Sequence, residues 1–396
     1  MDGFQQEGHF NTVACVEWEA APCETLAHRL KTKWKHNNAE EEVVRFDIQR
    51  TDELLNGFDD AEYGKHQGLI SLVGRKRIDV IIGGPPCQAY SLAGRIRDEH
   101  GMRDDYRNYL FESYVRIVSF FRPKFFVFEN VVGMLSAAPD GTPIVGKIYR
   151  AFDEAGYSVL SDFKEALFDV ADFGIPQHRK RVIILGVRKD LARDNVSCED
   201  LLEHFYSNMR QQRSEQRTVM DAIGDLPKLY PLEKPVVDGL RTYSHAPFTS
   251  EGVLNHSPRF HSLRDIEIFR RLAEDIESGR NEYVSTEKLK SLYTTITGRH
   301  SNIHKFYVLR RDEPSNTIPA HLNKDGLRHI HPDSKQARSI TVREAARIQT
   351  FPDDFEFLGS MMNQYKMIGN AVPVEFAKIV AHSVKSTIDK YASLLH

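Results

Sequence analysis

Residues 79–91 read Asp-Val-Ile-Ile-Gly-Gly-Pro-Pro-Cys-Gln-Ala-Tyr-Ser. The short apolar run 79–82 has the pattern of a strand buried on both faces of a parallel sheet. Gly83 and Gly84 end it, Pro85 and Pro86 stiffen the turn, and Cys87 arrives at the strand's carboxyl end. In open α/β sheets that end is where ligands and chemistry collect. A lone cysteine is usually an inert buried hydrophobe. A thiol held in a diproline turn and followed by the polar Gln88 and Ser91 is instead presented as a nucleophile.

Around this stretch, short β-rich runs alternate with helical ones. Strands are expected at 12–16, 78–82, 125–128, 157–160 and 181–187, and helices at 20–33, 108–121 and 143–155, the last closed by Gly156. The alternation predicts an α/β protein with a doubly wound, Rossmann-like parallel sheet. From about 190 to 336 the alternation is lost, turn residues are frequent, and nine of the 17 histidines fall there. This predicts an inserted, smaller and irregular domain. A short helix at 342–349 and a long amphipathic one at 374–395 follow. The expected division is 1–189, 190–336 and 337–396.

A chain of 396 residues with 41% hydrophobic and 28% charged content can bury a sizeable core. No apolar run is long enough to span a membrane, and the amino terminus does not read as a signal peptide. Cys15, Cys23, Cys87 and Cys198 show no Cys-x-x-Cys spacing, so no metal site and no disulfide framework are expected, and the default setting is cytoplasmic. The net charge of -3 does not announce a nucleic-acid binder. Phosphate binding needs only a basic face, and local clusters such as Arg179 to Arg181, Arg270 with Arg271, and Arg310 with Arg311 exist.

The stretch 79–91 resembles the signature of the DNA cytosine-5 methyltransferases, and further motifs of that family recur in its order. Glu129-Asn130-Val131 follows the run 124–128. Gln177-His178-Arg179-Lys180-Arg181 precedes 182–187. The runs from Arg343 to Pro352 and from Gln364 to Pro373 lie near the end. The resemblance implies methyl transfer from S-adenosylmethionine to carbon 5 of a flipped-out cytosine in double-stranded DNA. Cys87 matches the nucleophile that adds to carbon 6. Cysteine suits the step because it is intrinsically nucleophilic and partly ionised near neutral pH. Glu129 matches the group that supplies a proton or hydrogen bond at ring nitrogen 3. Arg181 matches the arginine on the cytosine carbonyl, and Arg179 a neighbouring base or phosphate contact.

For the cofactor, the resemblance assigns Glu17 to the ribose hydroxyls, Trp18 and Ile48 to the adenine faces and Asp47 to the adenine amino group. Pro86, Leu110, Asn370 and Val372 match further cofactor contacts. Gln88 and Ser91, on a loop expected to close over the base, and Thr317 with Ile318, match positions near DNA. A target-recognition role is implied for 190–336, and a monomer is expected, with a cognate restriction endonuclease as a candidate partner.

One part of the family pattern is not found. A Phe-x-Gly-x-Gly-Gly loop wraps the methionine part of the cofactor in this family, and residues 1–10 resemble the end of the helix that follows it. The sequence thus starts about a dozen residues into the pattern, one strand and one turn late. Two other readings stand beside the first. One is a catalytically weak or silent DNA-binding protein or fragment without the cofactor loop. The other is a tRNA cytosine-5 methyltransferase. That branch carries Cys-Phe-Thr in its recognition region, where this chain has Cys198-Glu199.

Overall fold

The computed structural model describes residues 1–85, 110–138, 141–193, 196–247, 252–300, 306–324 and 326–393. Its contacts divide the chain into unit 1 (Met1–Phe173, Lys180–Ser214, Phe376–His396) and unit 2 (Gly174–Arg179, Glu215–Glu375). The sequence reading drew the breaks at 189/190 and 336/337. Residues 190–214 instead group with unit 1, and residues 337–375 with unit 2.

Unit 1 opens with α1 (Asp2–Glu7), β1 (Cys15–Glu17), α2 (Ala20–Thr32), α3 (Ala39–Glu42) and β2 (Val43–Arg45). β1 and β2 pair in parallel, with Glu17 opposite Arg45. α4 (Thr51–Asn56), a small hairpin of β3 (Phe58–Asp60) and β4 (Gly64–His66), and α5 (Gly68–Val73) follow. Then come β5 (Val80–Gly83), α6 (Leu110–Phe121), β6 (Phe125–Val131), α7 (Ile144–Glu154), β7 (Tyr157–Ser158), β8 (Leu167–Asp169), β9 (Lys180–Arg188) and α8 (Cys198–Gln211). The larger sheet has the order β5–β6–β9–β7, with β8 on β9.

β5 and β6 are parallel, as the alternation requires. The predicted parallel sheet carries an antiparallel strand, β9, which runs opposite to β6, β7 and β8. β7, β8 and β9 succeed one another without a crossover helix, and such direct returns give antiparallel neighbours.

Residues 125–128 of β6 are buried throughout. One side of that strand carries an aromatic cluster of Tyr114, Phe126, Phe128, Phe152 and Tyr157. Gly186 of β9 permits it, because a Cβ there would lie 2.0 Å from the Phe126 ring. α6 fits by burying Leu110, Phe111, Tyr114, Ile117 and Val118, a helical stripe. α8 joins unit 1 because Leu201, Leu202, Phe205 and Tyr206 are buried and the Tyr206 hydroxyl donates to Ile183 O and accepts from Leu185 N. β5 is less covered: it pairs with β6 alone among the described residues, and Ile82 is 38% exposed. Ile81 of β5 and Val16 of β1 pack against one apolar cluster that includes Val44, Phe46, Leu54 and Ile117.

Unit 2 contains α9 (Val219–Ile223), a hairpin of β10 (Tyr230–Asp238) and β11 (Arg241–Ala246), α10 (Leu263–Glu277), α11 (Thr286–Thr297), α12 (Val342–Ile348) and α13 (Met361–Asn370). α14 (Val374–Ser393) carries the chain back into unit 1 at Phe376. α10 and α11 were not read from the sequence, although their stop-and-start residues are present. Ser262 and Ser285 cap their N-termini, and Gly298, at φ 67°, ends α11. They build a core with Ile266, Phe269, Leu272, Leu289 and Leu292. α12 belongs to this unit because Val342, Ala345, Ala346 and Ile348 share a second core with Val219, Ile223, Leu309 and Ile318.

Candidate active site

Glu129 stands on β6 opposite Ile183 of β9, and Arg181 is two residues earlier on β9, opposite Val131. Diagonal neighbours on one face of an antiparallel pair lie within reach of long side chains. Arg181 Nε approaches Glu129 Oε1 to 2.7 Å, with the two side chains only 12% and 21% exposed. The contact is an ion pair without hydrogen-bond geometry at Nε, and the guanidinium is steadied by a hydrogen bond from Nη1 to the Lys180 carbonyl at 2.8 Å. Next to Glu129, Asn130 is buried, and its Oδ1 accepts from Val131 N.

The glycines that end β5 are explained by this site. A Cβ on Gly84 would lie 2.6 Å from Glu129 Oε2, and one on Gly83 would lie 2.4 Å from the Tyr114 ring. Tyr114 Oη reaches the carbonyls of both Ile81 and Val127, tying β5 to β6. The backbone leaving β5 therefore passes directly against the carboxylate that pairs with Arg181. Cys87 is three residues beyond Gly84, about 11 Å of extended chain at most. Pro86, Cys87, Gln88 and Ser91 lie outside the described residues. The other three thiols are poor nucleophiles. Burial pushes Cys15 up to about 11 and Cys23 up to about 12, and raises Cys198 as well.

The residues expected at the adenosine lie together at the carboxyl ends of the parallel pair β1 and β2. Glu17 Oε1 accepts from the backbone N–H of Trp18 and of Glu19, which fixes the carboxylate beside the turn. The Trp18 side chain is 48% exposed. Asp47 Oδ1 accepts from Gln49 N, and Ile48 is half-buried. A fixed carboxylate, an open indole face, a second carboxylate and an apolar side chain at one strand edge fit a nucleoside. Leu110 is buried at the start of α6. Asn370 and Val372 belong to unit 2, the first exposed and the second half-buried.

Two expectations are corrected. Arg179 does not reach towards a base or phosphate. It is 1% exposed, and its two terminal nitrogens donate to Ile318 O and Gly369 O at 2.9 Å each. Ile318 does not face DNA either. Its side chain is buried in the second core, and its backbone N–H donates to Gln177 Oε1. Alternate residues of the Gln177 to Arg181 run thus have different tasks, two bracing unit 2 and one joining Glu129. Thr317 is exposed, and its hydroxyl donates to His178 O. The sequence reading also missed Gln349, which donates to Ile368 O while its own oxygen accepts from Gln177 Nε2. No residue type marks such a role in advance.

A profile of C-5 cytosine-specific DNA methylases matches residues 2–386. The chain belongs to the C-5 cytosine-specific DNA methylase family. That membership makes it a DNA cytosine-5 methyltransferase. It is 39% identical over 335 residues to the type II methyltransferase M.Bpa9945I of Bacillus paralicheniformis, covering 79% of this chain and 71% of that one. It is 30% identical over 382 residues to the type II methyltransferase M1.HphI of Haemophilus parahaemolyticus, covering 96% and 82%. Among solved structures, a DNA modification methyltransferase encoded within an E. coli prophage superposes with a TM-score of 0.58 at 24% identity, covering 98% of this chain and 95% of that one. The S. pombe Dnmt2 methyltransferase gives 0.51 at 13% identity, covering 98% and 94%. These likenesses establish the Rossmann-like methyltransferase fold.

Proposed function

We propose that this methyltransferase adds a methyl group to carbon 5 of a cytosine flipped out of a specific duplex DNA sequence. It would act in the cytoplasm beside a cognate restriction endonuclease that reads the same sequence. The observation that carries the reading is the Glu129–Arg181 pair packed against Gly84, three residues before Cys87.

The Cys87 thiolate attacks carbon 6 and forms a sulfur–carbon bond. The electron pair of the 5,6 double bond moves towards carbon 5 and ring nitrogen 3, where Glu129 supplies a proton or hydrogen bond. Arg181, already on the Glu129 carboxylate, orients it and donates to the base carbonyl. Carbon 5 is then nucleophilic. Its proton leaves after methylation, the sulfur–carbon bond breaks, and the thiolate and aromatic ring are restored. Glu17, Trp18, Asp47 and Ile48 would hold the adenosine of S-adenosylmethionine, with Pro86, Leu110, Asn370 and Val372 as further contacts. That group supplies the methyl that carbon 5 accepts. Gln88, Ser91 and Thr317 lie on the DNA side in this reading.

Duplex DNA with 5-fluorocytosine at the target tests the mechanism, because fluorine cannot leave as a proton does. With S-adenosylmethionine present, the full chain is expected to form a denaturation-resistant adduct, and Cys87→Ser to abolish it while DNA binding persists. An adduct that survives the substitution removes Cys87 from the role.

A further inference from the structure

Tyr114 of α6 works on the face of the sheet opposite Glu129. Its ring packs edge-on against Phe126 and Phe128 of β6. Successive residues of a strand point to opposite faces, so Glu129 projects from the other side. The two glycines that end β5 divide in the same way. A Cβ on Gly83 would meet the Tyr114 ring at 2.4 Å, and one on Gly84 would meet the Glu129 carboxylate at 2.6 Å. The exit of β5 is therefore held between a ring on one face and a carboxylate on the other.

Tyr114 is 4% exposed. Burial raises its hydroxyl well above the ordinary range, so the proton stays on and is available to donate. That single proton is shared between Ile81 O of β5 at 3.2 Å and Val127 O of β6 at 3.1 Å. Packing alone does not call for this group, because a phenylalanine ring would fill the same space. The two carbonyls belong to residues six before Cys87 and two before Glu129. Among the described residues β5 has a ladder partner on one side only, so the hydroxyl is a second tie on a thinly held strand. Where reacting groups must meet at about 3–3.5 Å, a misplacement of about 1 Å can cost about a hundredfold in rate.

We infer that Tyr114 is a positioning residue for the methylation: its hydroxyl fixes β5 against β6 and so sets the separation at which Cys87 and Glu129 meet one cytosine. It acts through the backbone rather than on the base. The inference rests on the Cys87 and Glu129 roles proposed above, and its test separates the two. Thiolate addition to carbon 6 lets carbon 5 take a proton from water. Loss of the original hydrogen as a proton, and then of the thiolate, returns the base with that hydrogen exchanged. Random-sequence duplexes carrying tritium at carbon 5 of cytosine report this step as tritium released to water, with no methyl donor present. The full wild-type chain, Tyr114→Phe and Tyr157→Phe would be compared at a temperature where circular dichroism shows all three folded. Tyr157 is the internal standard: it packs on the same Phe126, is 1% exposed and donates its hydroxyl to Pro123 O at 2.7 Å, ahead of β6. Tyr114→Phe is expected to lower kcat for exchange about tenfold while KM for DNA stays within about twofold. Tyr157→Phe is expected to leave both within about twofold. If Tyr114→Phe keeps the wild-type kcat, or if Tyr157→Phe lowers kcat equally, the hydroxyl sets no distance and the inference fails, while the Cys87 and Glu129 roles stand. A wild-type chain that releases no tritium overturns both readings.

Discussion

In unit 1 the largest fully buried side chains are aromatic: Phe46, Phe125, Phe126, Phe128, Phe152, Tyr157 and Tyr206. In unit 2 they include Arg179, Arg338 and Arg343. The difference follows from backbone. Regular strands and helices satisfy their own carbonyls, so unit 1 can bury apolar groups on both faces of a sheet. Much of unit 2 is irregular, and its carbonyls need donors from side chains. Arg343 donates to Leu254 O, Pro352 O and Phe355 O, as Arg179 does to Ile318 O and Gly369 O. At the centre, Arg338 grips Glu344 with both terminal nitrogens at 2.7 and 2.6 Å, both side chains 1% exposed. Burial alone would raise the Glu344 carboxyl. Arg338, with His331 beside it, holds it well below the usual range. Directional bonds of this kind specify one arrangement, and they leave unit 2 open to protons and to single-group deletions in a way that unit 1 is not.

Acid should expose the largest effect. Burial pulls His245 and His329 down to about 4, and His261 and His331 down to about 3, so all four are neutral in the fold at pH 5. The unfolded chain takes up those protons near the ordinary value of 6.5. Stability is therefore complete above that pH and falls as pH drops from about 6.5 towards 4 for His245 and His329 and towards 3 for His261 and His331, by about 2 kcal/mol per histidine at pH 5. Hydrogen exchange at pH 7 and pH 5 should show protection lost first across unit 2. Equal loss in both units would erase the contrast.

Next in size is Arg338→Ala, which strands a buried carboxylate and should cost about 3–5 kcal/mol in denaturant unfolding. Replacing both Arg338 and Glu344 by Met should recover much of that loss. If the double replacement is as damaging as the single one, the pair matters for more than mutual neutralisation.

The smallest effect sharpens a contrast inside unit 1. Val127 and Ile82 face each other in register, the first 5% and the second 38% exposed. Val127→Ala should cost about 2 kcal/mol, and Ile82→Ala under about 1 kcal/mol. Equal costs by thermal unfolding would show that β5 at Ile82 is as well packed as β6 at Val127.

The run from Asp79 to Ile82 placed a strand, and Val80–Gly83 is the strand observed, though it is less buried than the apolar pattern predicts. Glu129 and Arg181 could be named because they match motifs of the family, although Glu129, expected just after a strand, lies within β6. Arg179 and Ile318 could not be separated from them. Arg179 shares the Gln177 to Arg181 run with Arg181, Ile318 stands in a distant stretch of the chain, and only the packing shows that each is buried. The helices α10 and α11 were hidden by a turn-rich, histidine-rich composition, and their caps become decisive only once an apolar face has a partner.

The sequence by itself determined the alternation of strands and helices in unit 1 and, through its motifs, the family to which the chain belongs. These follow from short-range periodicity and from residue types at fixed spacing. Tertiary structure alone decided the antiparallel course of β9, the passage of residues 337–375 into unit 2, and which arginines face a site and which brace a core. Those outcomes depend on contacts between residues far apart in the chain, such as Arg179 with Gly369, and local pattern carries no information about them.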